Sequence, residues 1–499
     1  MTEKKGDILN INKNETEENS ARRRILLFFL YNFYNFINIA IEDSQREGQS
    51  SAEGNTENQT ATVIQSTSEP VPHHKDSLFK TVSNVMFLGL GTSALAISKV
   101  PYNISLIMLP ICVFLGGIAN IWSYHILGDL YEKYKINNYE HLCEKICGRK
   151  MTIFLVVTLN IYTVGLLLIH QVLIYRLLGG IINEIGGYKY ESMLTFLSDT
   201  YWNEIWVKVC VNFGIAILII FPLCLMTDMK KLNISSTVGV FTTLFILLVV
   251  LVQFPFYFIE YLEKEYKKDD KSTHINIYNV ERGFTKQIQF LQAFALFFFC
   301  YTGHNGLLPA LEHLENPTPA RRAKLYNIAI AMDLLIYLFI AVCGYLSVPH
   351  DVVDIVFERK RIWNQDIVMT IARILLIPMA ISKIQVNHNI WRISFVSFRG
   401  QDHRKITLKY NMIFTGITLF CTTLLASVYQ NIVGYISLIG CFCVVFPAFL
   451  IPPIMYMYDC GLPKSHWKVV LQIIIGAVLC TIGYISGILG LIDIINGVK

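Results

Sequence analysis

Charge is scarce in this 499-residue chain. Asp, Glu, Lys and Arg make up 16% of it, against about 25% in a soluble domain. The amphipathic striping that a soluble core imposes is missing from most of its apolar runs. The twelve cysteines include no CxxC pair. Cys143 and Cys147 are four apart on one helix face, which is not a zinc-ligand spacing. Cysteines inside apolar runs, such as Cys112, Cys300, Cys343 and Cys480, read as small packing residues. No nucleophile motif, metal cluster or phosphate loop stands out, which argues against an enzyme and leaves no cofactor to hold. No basic patch carries interleaved aromatics, which argues against nucleic acid. The net charge of +5 sits mostly in loops.

What the chain has is hydrophobic length. Apolar residues make up 53% of it, and runs of roughly 20 recur, each long enough to cross a bilayer. The composition therefore predicts an all-α polytopic membrane protein with about eleven transmembrane helices. The expected spans are Thr81–Val100, Ile104–Leu127, Thr152–Leu178, Trp206–Leu225, Thr237–Phe258, Ile288–Leu311, Tyr326–Val348, Asp366–His388, Tyr410–Val428, Ile432–Tyr458 and Trp467–Ile492. Residues 1–80 form a mostly polar tail, too poor in apolar surface to fold alone. Inside that tail Arg22, Arg23 and Arg24 precede an apolar stretch, Ile25–Ile41, interrupted by Asn32, Asn35 and Asn38. An interfacial helix is favoured there over a crossing.

Lysine and arginine in alternate loops, among them Lys133, Lys145, Lys230, Arg321 and Arg404, place the N-terminus in the cytoplasm. Two loops assigned outside break the pattern: the mixed Lys264–Lys271 and the basic Arg359–Arg361.

Two spans carry helix breakers. The first contains Gly89-Leu90-Gly91-Thr92-Ser93, and the sixth contains Tyr301-Thr302-Gly303-His304-Asn305-Gly306 followed by Pro309. Either alone reads equally as close helix packing. The pair occupies corresponding positions if spans 1–5 and 6–10 are the halves of an inverted repeat, and secondary transporters place their substrate site at such paired breaks. Unwound backbone there exposes N–H and C=O groups that an amino acid's own charges can use.

Three stretches carry a family resemblance. They are FLGLGTSALAI (Phe87–Ile97), HNGLLPALEHLENPTPARR (His304–Arg322) and GYISLIGCFCVVFPAFLIPPIMYMY (Gly434–Tyr458). They resemble the amino acid/auxin permease family, within the amino acid–polyamine–organocation superfamily, and the similarity runs from about Thr81 to Tyr458. Ser93 stands where the family has its second glycine, and Gly303 where it has a cysteine. The resemblance implies a leucine-transporter-like 5+5 core over residues 81–458, with an eleventh helix at 467–492. It implies an amino acid substrate, a lipid bilayer around the chain and coupling to a proton or sodium gradient. By motif position, Gly91, Thr92 and Ser93 would meet the substrate, and Tyr301, Gly303 and His304 would form the facing half of its site.

The ionisable residues expected inside spans are His170, His304, Asp333, Arg373 and Lys383, each costly to bury. His170 is expected to bond a neighbouring helix, and Arg373 to serve a structural ion pair as readily as transport. As the family is understood, a sodium site would use backbone oxygens of the first span and a hydroxyl of the eighth, here Ser382. Lys383 is its immediate neighbour, and an ammonium repels a cation, so protons are favoured over sodium. Asp333 and Lys383 lie about 10 and 8 Å from the cytoplasmic ends of their spans, which allows an ion pair. That pair is either a static strut or, with His304, part of a proton switch. The reading of another class is a multi-spanning receptor or channel. The plasma membrane is favoured over a vacuolar or lysosomal one.

Orientation is testable by cysteine-accessibility labelling in intact cells. A cysteine at Lys189 is expected to label from outside and one at Arg322 to stay protected. Labelling of the Arg322 position from outside reverses the topology.

Overall fold

The computed structural model describes residues 77–90, 94, 96–186, 204–226, 232–267, 296–348, 355–359, 366–398 and 406–497. The chain divides at His73, and the unit described is the one that follows. Of the polar tail, residues 1–76 with the Ile25–Ile41 stretch lie outside the described residues, whereas Leu78–Lys80 already belong to the first helix, capped by Ser77.

Everything regular among the described residues is helical. In hydrocarbon each backbone N–H and C=O must be satisfied within its own segment, and a helix does that. The helices are α1 (Leu78–Gly89), α2 (Met108–Tyr134), α3 (Tyr139–Cys147), α4 (Arg149–Gly186), α5 (Ile205–Leu225) and α6 (Leu232–Lys267). After them come α7 (His304–His313), α8 (Pro319–Ser347), α9 (Ile367–Phe398), α10 (Leu408–Val428), α11 (Gly434–Asp459) and α12 (Trp467–Gly497).

Among the described residues nine helices are long and apolar enough to cross a membrane. They correspond to nine of the eleven expected spans. The two that fall short are the first and the sixth, the pair with breakers. α1 stops at Gly89, and Leu90 is extended at φ −67°, ψ 116°. Residues 296–300 are helical, 301–303 are not, and α7 starts at His304.

Local chemistry sets the other helix ends. Thr318 accepts from the Arg321 N–H at 3.3 Å and Pro319 sits at the first helical position of α8. Asn138 caps the short amphipathic α3 through the His141 N–H at 2.9 Å. That helix buries Tyr139, Leu142 and Cys143. Its Glu140 carboxylate accepts from the Ser394 hydroxyl of α9 at 2.6 Å; burial pushes that carboxyl up, and the Ser394 bond pulls it back.

α11 is irregular, with π-turns at Gly440–Val444 and Phe446–Leu450. Pro452 brings no N–H to the carbonyls one turn before it. Two side chains supply the missing donors: the Tyr139 hydroxyl bonds Pro447 O at 2.6 Å and the Ser123 hydroxyl bonds Ala448 O. α5 and α12 leave large apolar side chains such as Leu218, Trp467 and Ile474 uncovered, as lipid-facing helices do.

The loop residues Arg359–Arg361, which break the charge pattern, are explained in part. Arg359 is buried, lies 3.9 Å over the Tyr257 ring, and donates to Ser347 Oγ at 3.0 Å and to Gln253 Oε1. It is a structural cation tying the loop to α6 and α8, and carries no topological information.

Helix contact is tight where glycine allows it. A Cβ at Gly476 of α12 would stand 2.4 Å from the Phe449 carbonyl of α11, whereas one at Gly214 of α5 would meet nothing within 4 Å. Gly476→Val is therefore expected to lower the thermal unfolding temperature of the detergent-purified protein, by an overpacking cost of about 1–3 kcal/mol. Gly214→Ala is expected to leave it unchanged or raised. Equal behaviour of the two variants would mean that the α11–α12 contact is looser than described.

Candidate functional site

A broken helix leaves carbonyls at its C-terminal end with no intrahelical donor. Two such ends meet here, that of α1 and that of residues 296–300, and carbonyls at both accept from side chains of other helices.

At the first break, Lys383 of α9 reaches across. Its Nζ donates to Leu90 O at 3.0 Å and also to Phe87 O. The same ammonium lies 3.6 Å from the centroid of the Phe87 ring. That ring is held from behind by Gly239 of α6, where a Cβ would come within 1.8 Å of it. A positive charge at a helix C-terminus is also the favourable sign for the helix dipole.

At the sixth-span break, three tyrosines bond three successive carbonyls. Tyr337 of α8 lies 2.7 Å from Cys300 O, Tyr124 of α2 lies 3.2 Å from Tyr301 O, and Tyr162 of α4 lies 3.5 Å from Thr302 O. Tyr337 also lies 2.9 Å from Gly89 O. A hydroxyl has one proton, so Tyr337 shares it between the two breaks. One turn earlier on α8 is Asp333. A Cβ at Gly89 would stand 3.0 Å from Asp333 Oδ2 and 3.2 Å from Cys300 O, so the two breaks, the carboxylate and the phenol converge on one point. Asp333 is 1% exposed and its Oδ1 has no hydrogen-bond partner.

His304 opens α7 beside this point. Its Nε2 lies 3.0 Å from Ser123 Oγ. The Ser123 proton is committed to Ala448 O, which can only accept, so Nε2 carries hydrogen and donates to Ser123. His304 Nδ1 is buried with no partner, and the Tyr124 ring stands edge-on to the imidazole at 4.8 Å. The chain of contacts links the sixth-span break to α2 and to the proline-disrupted turn of α11.

Gly91, Thr92 and Ser93 lie outside the described residues. Tyr301 is buried, its hydroxyl donating to Val113 O at 3.2 Å and its ring edge-on to Tyr337. Gly303 serves close packing: a Cβ there would stand 2.9 Å from Tyr124 Oη and 3.0 Å from Leu88 Cβ. His304, Asp333 and Lys383 are all brought to the breaks.

Two expectations need correction. The contact ion pair between Asp333 and Lys383 does not form, because the ammonium is taken up by the carbonyls of Phe87 and Leu90. Ser382, offered as the hydroxyl of a sodium site, is half-buried next to Lys383, the α9 side chain that meets those carbonyls. His170 bonds its own helix, with Nδ1 2.6 Å from Leu166 O, because a helical side chain reaches the carbonyl one turn back more easily than a neighbouring helix.

Arg373 sits away from the breaks. It donates to Phe357 O at 2.6 and 3.2 Å and lies 3.8 Å from Glu184, which is the structural role. Among the described residues no cluster of three or more His, Cys, Asp or Glu could hold a metal.

Sequence reasoning missed Tyr124, Tyr162, Tyr337 and Ser123. Nothing distinguishes these tyrosines from the rest of the 26 in the chain until the carbonyls they serve are seen.

The family model described as transmembrane amino acid transporter protein matches residues 74–495. The chain is 24% identical over 217 residues to the human "Putative sodium-coupled neutral amino acid transporter 11", covering 42% of this chain and 51% of that protein. It is 21% identical over 322 residues to the sodium-coupled neutral amino acid transporter 7 of Xenopus laevis, covering 62% of this chain and 66% of the relative. The chain thus spans about half the length of the human relative it matches.

Removing a donor from a buried carbonyl costs about 1–3 kcal/mol. Tyr337→Phe keeps the ring against Tyr301 and deletes the hydroxyl, so it is expected to lower the thermal unfolding temperature of the purified protein clearly. Tyr162→Phe, whose bond is long at 3.5 Å, is expected to lower it less. The reverse order would remove Tyr337 from its bridging role.

Proposed function

The chain belongs to the transmembrane amino acid transporter family, and on that premise we propose that it is a secondary active transporter that moves amino acids, driven by protons in preference to sodium. The observation that carries the reading is the meeting of two interrupted membrane helices at Gly89 and Cys300, with a buried carboxyl, Asp333, beside them. A zwitterion needs both signs of partial charge. The C-terminal ends of α1 and of residues 296–300 offer carbonyls to an ammonium, and the N-terminal end of α7 offers the opposite sign to a carboxylate. In this reading the stretch Gly91–Ser93 and the turn Tyr301–His304 flank the substrate.

Proton coupling is supported by two groups. Asp333 is a buried carboxyl with one oxygen unpartnered, and His304 is a buried imidazole with one nitrogen unpartnered. Both adjoin the breaks, where gain or loss of a proton changes the local charge by one unit. The two relatives are named as sodium-coupled transporters, and sodium is the competing reading.

Uptake into proteoliposomes against a panel of amino acids, with pH and sodium gradients imposed separately, decides between them. Uptake is expected under a pH gradient in sodium-free medium, with that drive lost in His304→Ala or Asp333→Asn. Uptake that needs sodium and ignores the pH gradient overturns the proton reading. Uptake of no amino acid under any gradient overturns the transporter reading itself.

A further inference from the structure

We infer that Lys383 is a tethered cation: its ammonium occupies the carbonyl seat at the end of α1 that a coupling alkali cation would otherwise take. This rests on the transporter reading for its meaning but on geometry for its content.

The seat is made by chain breakage. With α1 stopped at Gly89, the carbonyls of Phe87 and Leu90 turn toward one point at the negative end of the helix dipole. Buried carbonyl oxygens at a helix end are hard ligands of the type that bind sodium. Lys383 delivers a unit positive charge and N–H donors to that same point. The Phe87 ring lies under the ammonium, and Gly239 leaves room for the ring. A second cation cannot share two carbonyls with an ammonium already bonded to them, since like charges at such a distance repel strongly in a low-dielectric interior. Lysine is long enough to reach the seat from α9, whereas Ser382, adjacent on the helix, is left beside it.

Titratable groups face the ammonium from two neighbouring helices. Asp333 of α8 is close enough to interact coulombically with Lys383, although the two make no contact pair. His170 of α4 is also close enough to interact, and its Nδ1 hydrogen is committed to Leu166 O. From α6 the buried polar residues Thr242 and Thr243 are uncharged. The net charge that an exchangeable sodium would bring is thus built into the chain, and the cost of releasing it falls on side-chain movement instead of ion release.

The experiment is a thermal-unfolding series on detergent-purified wild type, Lys383→Ala and Lys383→Thr, in sodium chloride or in choline chloride of equal ionic strength. No amino acid is needed, so a failure of this inference is separable from a failure of the transporter reading. Wild type is expected to unfold at the same temperature in both salts. The two variants have an emptied seat, and Lys383→Thr adds a hydroxyl next to Ser382. At least one of them is expected to unfold several degrees higher in sodium than in choline. Sodium stabilisation of wild type, or folded variants indifferent to sodium, overturns the inference. If neither variant folds, wild-type uptake decides: independence of sodium supports the tethered cation, and an absolute need for sodium overturns it.

Discussion

The constraint on which the rest of this structure depends is that no backbone carbonyl inside a membrane can be left without a donor. Most of the chain meets it by continuous helix. The first and sixth spans do not, and they break at the same place in space. Five carbonyls around that place, those of Phe87, Gly89, Leu90, Cys300 and Tyr301, are met by Lys383, Tyr337 and Tyr124. These three side chains come from α9, α8 and α2. The breaks are therefore surrounded by helices that each contribute a polar tip, and Asp333 and His304 sit among those tips with one atom each unpaired. A membrane interior that accepts this many polar atoms at one point is organised around that point.

The same logic operates a second time on α11. Pro452 deprives the preceding turn of a donor, and Ser123 and Tyr139 make good the loss from α2 and α3. Because Ser123 spends its only proton on Ala448, it can serve His304 only as an acceptor. A proline in one helix thereby determines which nitrogen of a histidine in another carries hydrogen. This is a physical route by which α11 and the sixth-span break affect each other.

The helices were legible in the sequence because length and hydrophobicity alone decide them. So were the two breaks, since Gly89-Leu90-Gly91 and Tyr301-Thr302-Gly303 interrupt otherwise apolar runs. Asp333, Lys383 and His304 could be picked out because charge in a span is expensive. Their partners could not. Depth along two helices suggested that Lys383 would meet Asp333, but depth says nothing of rotation about the helix axis, and a lysine stem is long enough to choose between targets. The target it takes is the pair of carbonyls of Phe87 and Leu90. Tyrosine 337 illustrates a different gap. Its hydroxyl matters because of two carbonyls 211 positions apart on the chain, an arrangement that no local pattern encodes. Arg359 shows the reverse case, a loop arginine that breaks the charge pattern because it is packed on Tyr257.

The bonds that hold the breaks also bear on how they could be released. Tyr337 divides one proton between Gly89 O and Cys300 O, so an arriving ammonium could take over either carbonyl without leaving the other orphaned. Lys383 is different, because its two bonds both go to α1 and nothing else among the described contacts replaces it there. The α1 end is thus tied to α9 by a charged donor and to α8 by the shared Tyr337 proton, while the sixth-span break is tied to α8 by that same proton and to α2 by Tyr124. Movement at the site is then asymmetric. Parting α1 from α9 requires the charge of Lys383 to find another home, and among the described residues Asp333 is the acidic group close enough to interact with it.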